Sequence, residues 1–141
     1  LRAIGLFEPD VATRRFHEYT APKLRGLTSR LALYASENDR MLEFSRVINN
    51  SDRAGLIEKA STAADGVETI DVTDGVSSED WFRRRFGTHH AMKRETSALH
   101  DFFDIVVAHK PASCRALMGT AQLASDGTWQ LLPNVANNAR C

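Results

Sequence analysis

The sequence predicts an α/β fold in three αβα layers, a mostly parallel sheet with helices packed on its faces. Three observations predict it. Apolar runs of strand length recur along the chain, helical apolar patterns lie between and after them, and turn residues separate the two kinds of segment. Strands joined through helices are crossover-connected, and crossovers place successive strands parallel.

The first run, Leu1-Arg2-Ala3-Ile4-Gly5-Leu6-Phe7, ends at Glu8-Pro9-Asp10, where proline stops regular pairing. Asp10 can cap a helix in which Val11, Phe16 and Tyr19 face a core, ending near Pro22. Arg30-Leu31-Ala32-Leu33-Tyr34-Ala35 is the cleanest strand and runs into the polar set Ser36-Glu37-Asn38-Asp39. Residues 40–49 then place Met41, Phe44 and Ile48 at helical intervals, with Leu42 and Val47 beside them. The stretch 50–66 is polar with a turn at Gly55, and it receives no regular element. Val67-Glu68-Thr69-Ile70-Asp71-Val72 is the third strand, bounded by Gly66 and Asp74-Gly75. Residues 97–109 carry Ala98, Leu99, Phe102, Phe103, Ile105 and Val106 on a broad apolar face, and Pro111 bars continuation. The tail from Pro111 is less periodic, and its apolar cluster of Trp129, Leu131 and Leu132 is expected to fold back on the body.

Composition narrows the function classes. The 141 residues are 43% hydrophobic and 26% charged, as in ordinary globular domains. Eighteen basic and eighteen acidic side chains cancel, so no global field favours nucleic acid or an anionic membrane. No apolar stretch is long enough to span a bilayer, and no signal-peptide pattern opens the chain, which begins with Leu1 instead of Met. Cys114 and Cys141 are too few for a disulfide scaffold and lack metal-site spacing, so both read as thiols and neither decides a compartment. A strand that starts at the first residue is expected to be part of a larger sheet, because an uncovered parallel edge invites aggregation.

Two residues could carry chemistry. Asp39 follows a strong strand and precedes a helix, and in parallel α/β sheets the carboxyl ends of strands face a common crevice. An acid there can orient an imidazole; aspartate is equally a favoured N-cap, and the roles are compatible. His89, with His90 beside it, lies in Gly87-Thr88-His89-His90-Ala91 after the third strand. It can serve as general base and acid, or both histidines are loop residues without a task. The five histidines (His17, His89, His90, His100, His109) show no ligand spacing, so no metal and no cofactor is expected. The run Trp81-Phe82-Arg83-Arg84-Arg85-Phe86 is too short a basic cluster to predict nucleic-acid binding. It reads as a solvated basic turn, or with Trp81 or Phe86 lining an acyl pocket. No Gly-x-Ser-x-Gly occurs; Gly75-Val76-Ser77-Ser78-Glu79 fails at the second glycine.

Together these blocks resemble a family of bacterial esterase/lipase-like α/β-hydrolases of unknown function. Phe7-Glu8-Pro9-Asp10-Val11 is similar to the family's Ala-Pro-Asp block, with Glu8 in place of a small residue. Leu33-Tyr34-Ala35-Ser36-Glu37-Asn38-Asp39-Arg40 resembles its Leu-Tyr-x-Ser-x-x-Asp block, followed by Leu42 and Ser45. His89 falls where the family has Gly-His-Ser-Tyr, twelve residues before the helical aspartate matched by Asp101. Here the following residue is His90 and the preceding one Thr88. Arg115 and Trp129 sit where the family's C-terminal segment carries such residues.

The resemblance implies a Ser-Asp-His triad in that chain order, with Asp39 as acid, His89 as histidine and the serine upstream of Leu1. It implies a carboxylic ester or other small acyl substrate, residues 1–110 as the C-terminal part of the catalytic domain, and 111–141 as an extension that packs on it or is partly disordered. The chain alone would be inactive. The rival expectation is a hydrolase-like binding module, or a truncated product, without catalysis.

Overall fold

The computed structural model describes residues 1–57, 64–73, 96–115 and 127–131. Among the described residues four strands form one sheet in the order β1-β2-β3-β4: β1 (Ile4–Phe7), β2 (Leu31–Ala35), β3 (Glu68–Asp71) and β4 (Trp129–Gln130). Every pairing is parallel, with Phe7 opposite Tyr34, Tyr34 opposite Ile70 and Ile70 opposite Trp129. The three strands read from the sequence are present. β4, two residues long, has too little alternation to be seen in the sequence.

β2 lies inside the sheet and is buried along its whole length, which explains its unbroken apolar composition. Its side chains alternate between faces. Leu31 and Leu33 pack with Phe16, Ala21 and Ala54 on one face, whereas Ala32 and Tyr34 join Ile70, Val72, Ala98, Ile105 and Leu131 on the other. The first core is roofed by a helical stretch after β1, and the second by α4 (Thr96–Val106), giving the α/β/α layering. Gly5 lets α4 come close: a Cβ there would fall 2.4 Å from the ring of Phe102. Phe102 meets Phe7 edge-on at 5.5 Å, and Phe7 stacks on Tyr34 at 4.4 Å.

The stretch after β1 consists of α1 (Thr13–Arg15), a π-helical segment (Phe16–Thr20) and α2 (Ala21–Arg25). Pro22 does not end it. Proline lacks an N–H and crowds the carbonyl four residues back, and the wider π turn just before it accommodates both defects. The cap expected at Asp10 is also corrected. The N-cap is Ala12, and Asp10 instead accepts from Ser45 Oγ at 2.8 Å and pairs with Arg53 at 3.3 Å. Phe16 is fully buried as expected, but Tyr19 is 60% exposed.

α3 (Arg40–Asn49) forms where predicted but turns a different face inward. Only Leu42 is buried, while Met41, Phe44, Val47 and Ile48 are exposed. The face toward the body runs through Leu42 and Ser45, three residues apart on one helical face, because Ser45 binds Asp10 through its hydroxyl and Arg53 through its carbonyl. On α4, Ala98 and Ile105 are buried, whereas Leu99, Phe103 and Val106 are exposed. Cys114, in the 3₁₀ turn Ala112–Cys114, is disulfide-bonded, correcting the free thiol expected there. Pairing depends on what the fold brings together, which spacing along the chain does not encode. The other cysteine, Cys141, lies outside the described residues.

Candidate active site

Because the strands are parallel, their carboxyl ends lie along one edge of the sheet, and the loops after β1, β2 and β3 emerge there together. The loop after β2 is held at three successive backbone N–H groups. Ser36 N donates to Gly55 O at 3.1 Å, Glu37 N to Thr73 Oγ1 at 2.9 Å, and Asn38 N to Ser36 Oγ at 3.1 Å. The next residue is Asp39.

Asp39 is fully buried and is the N-cap of α3, with extended backbone at φ −79° and ψ 95°. Its Oδ1 accepts from Met41 N at 2.9 Å and from Leu42 N at 3.1 Å. These two amides fix the carboxylate's rotamer, and the helix N-terminus favours its negative charge. The cap reading of Asp39 is therefore correct, and the side chain is also preorganised at the edge where a crevice would form. His89 and His90 lie outside the described residues, as do the run 81–86 and Ser77.

The loop after β1 approaches from the other side. Glu8 is 4% exposed and takes φ +43°, a left-handed conformation that is rare for a non-glycine residue. Its N–H donates to Tyr34 O at 2.8 Å. Gly55 packs directly on it: an added Cβ would lie 2.4 Å from the Glu8 carbonyl carbon. Gly55 N also donates to Pro9 O at 3.1 Å, so this glycine clamps the exits of β1 and β2 together. Two other aspartates near these strand ends are structurally engaged, Asp10 by Ser45 and Arg53, and Asp71 by Thr73 N at 2.8 Å. The groove between Arg14, Arg15, Tyr19, Lys23 and Ser51, about 510 Å³, includes no residue of the Ser36–Asp39 loop.

Beneath this edge lies a buried polar network. Tyr34 donates its phenol proton to Asp101 Oδ2 at 2.8 Å, and Arg115 Nε donates to Asp101 Oδ1 at 2.7 Å. Arg115 Nη1 continues to Glu68 Oε2 at 2.7 Å. Tyr34, Asp101 and Arg115 are each almost completely buried. Burial pushes the Asp101 carboxyl above its ordinary range, against the pull of Arg115 and Tyr34. Burial, reinforced by the Asp101 charge, pushes the Tyr34 phenol up as well. Burial opposes the Arg115 charge, but Asp101 and Glu68 outweigh it and hold the guanidinium charged. A phenol and a cation on one carboxylate make this a structural lock joining β2, α4 and the segment after the 3₁₀ turn. Residue types alone do not reveal it, since Tyr34 and Asp101 are 67 positions apart.

The sequence model of a family described as alpha/beta hydrolase of unknown function (DUF900) matches residues 1–97. The match takes in Asp39 and the positions of both candidate histidines, and it ends before Asp101 and Arg115. No curated protein and no solved structure matches the chain.

Proposed function

Because the chain belongs to this family of α/β hydrolases of unknown function, we propose that it supplies the acid and the histidine of a serine hydrolase acting on a carboxylic ester or similar acyl substrate. One observation carries the reading: Asp39 is buried, capped into a single rotamer, and held directly after β2 at the carboxyl edge of a parallel sheet. An acid in a triad needs that combination, since it must present one fixed oxygen to an imidazole while staying ionised.

In this mechanism a serine upstream of Leu1 attacks the acyl carbonyl. His89 takes its proton and later passes it to the leaving group, and Asp39 fixes the imidazole tautomer and stabilises the imidazolium. Water then attacks the acyl-serine ester, His89 again acting as base, and the acid product and free serine result. The strand order supports where the serine belongs. The chain crosses the sheet in sequence order from β1 to β4, so a preceding strand continues that progression beside β1, at the edge of the sheet. Its carboxyl end, where a Gly-x-Ser-x-Gly elbow sits, would then open beside Asp10 and Asp39.

The test is hydrolysis of a p-nitrophenyl ester by the complete protein. Turnover that vanishes when the elbow serine becomes alanine is the expected result. An upstream sequence without an elbow serine, or turnover that survives its removal, would overturn the proposal.

A further inference from the structure

We infer that Thr73 is a positioning residue for Asp39, through a latch that ties the exit of β3 to the loop after β2; this rests on the serine-hydrolase reading above. Regular pairing between β2 and β3 ends with Val72 N donating to Ala35 O at 2.9 Å. Among the described residues no backbone pair between the two strands continues the ladder beyond that point. Thr73 supplies the missing link, because its Oγ1 accepts the Glu37 N–H at 2.9 Å, as a carbonyl would in a continuing strand.

The hydroxyl is aimed by two constraints. Thr73 N donates to Asp71 Oδ1 at 2.8 Å, closing an aspartate turn that stops the strand. Its β-branched side chain then has few χ1 choices. The order of dependence is Asp71, Thr73, Glu37 and, two residues on, Asp39. The chain that leaves Thr73 leads to His89 and His90, so one bond joins the backbone leading to the proposed base to the loop of the proposed acid.

The latch sits at the exposed rim, where Glu37 faces solvent. Water can replace a hydrogen bond there at little cost to stability. What water cannot replace is the fixed spacing of Glu37 and Thr73, and small misplacements in a catalytic site are expensive in rate.

The experiment compares Thr73→Val and Thr73→Ser in the complete protein, reading p-nitrophenyl ester kinetics, fluorophosphonate labelling and Tm. Thr73→Val, which keeps the shape and loses the acceptor, should lower kcat about tenfold or more with little change in KM or Tm. Thr73→Ser should restore kcat to within about twofold, because it keeps the hydroxyl. If wild type is labelled and Thr73→Val turns over like wild type, the latch inference is overturned and the hydrolase reading stands. If Thr73→Ser is as impaired as Thr73→Val, packing of the methyl group is responsible and the inference again fails. If wild type is neither labelled nor active, the hydrolase reading fails and takes the latch with it.

Discussion

Asp39 caps α3 through Oδ1, and asparagine caps a helix about as well as aspartate does. Asp39→Asn therefore separates the two roles. Stability, measured by urea unfolding of the complete protein, should change by less than about 1 kcal/mol, the residual coming from the lost charge at the helix N-terminus. Ester turnover should fall about four orders of magnitude, because the amide cannot hold the imidazole in the required tautomer. A rate near wild type would remove Asp39 from the chemistry and leave it a cap. The neighbouring histidines separate in the same assay: His89→Ala should abolish turnover and His90→Ala should retain it, and the reverse pattern would move the role one residue along. At this scale the cap role of Asp39 was legible, because aspartate between a strand and a helix is a favoured N-cap. Thr73 was not, since its partner Glu37 lies 36 positions away and the bond needs both strands in register.

Among the elements, α3 shows what periodicity can and cannot tell. The period fixes which residues share a face, but not which face meets the body. Met41, Phe44 and Ile48 read as the core stripe, yet polar bonds from Ser45 to Asp10 and Arg53 turn the row through Leu42 inward. Replacing Phe44 or Ile48 by serine should therefore shift unfolding by no more than about 0.5 kcal/mol, as exposed substitutions do. Leu42→Ala should cost about 2–5 kcal/mol, as buried leucines do. Equal costs at Leu42 and Phe44 would contradict the observed orientation. Gly55 presents the opposite case, a single residue on which two strand exits depend. Gly55→Ala would drive its methyl into the Glu8 backbone and should cost about 1–3 kcal/mol, as overpacking does.

Across the whole molecule, the fold class was legible because strand-length and helix-period apolar runs alternate, and that alternation alone implies a parallel sheet. What joins distant parts was not. β4 is two residues long, the bond of Cys114 depends on folded proximity, and the Tyr34–Asp101–Arg115–Glu68 network links four separate segments. Arg115→Met would leave the Asp101 carboxylate buried without its cation and should cost about 3–5 kcal/mol. Tyr34→Phe removes one donor and should cost about 1–3 kcal/mol. The double variant should cost less than the two singles together, and strict additivity in urea unfolding would show that the residues do not act as one network. The same scale holds the central claim, that Asp39 and His89 serve a serine contributed from outside these residues. It is tested most directly by treating the complete protein with a serine-directed fluorophosphonate and mapping the adduct by mass spectrometry. The expected result is one adducted serine within an upstream Gly-x-Ser-x-Gly, formed far more slowly in Asp39→Asn and His89→Ala. No adduct, or an adduct whose rate ignores both substitutions, would contradict it.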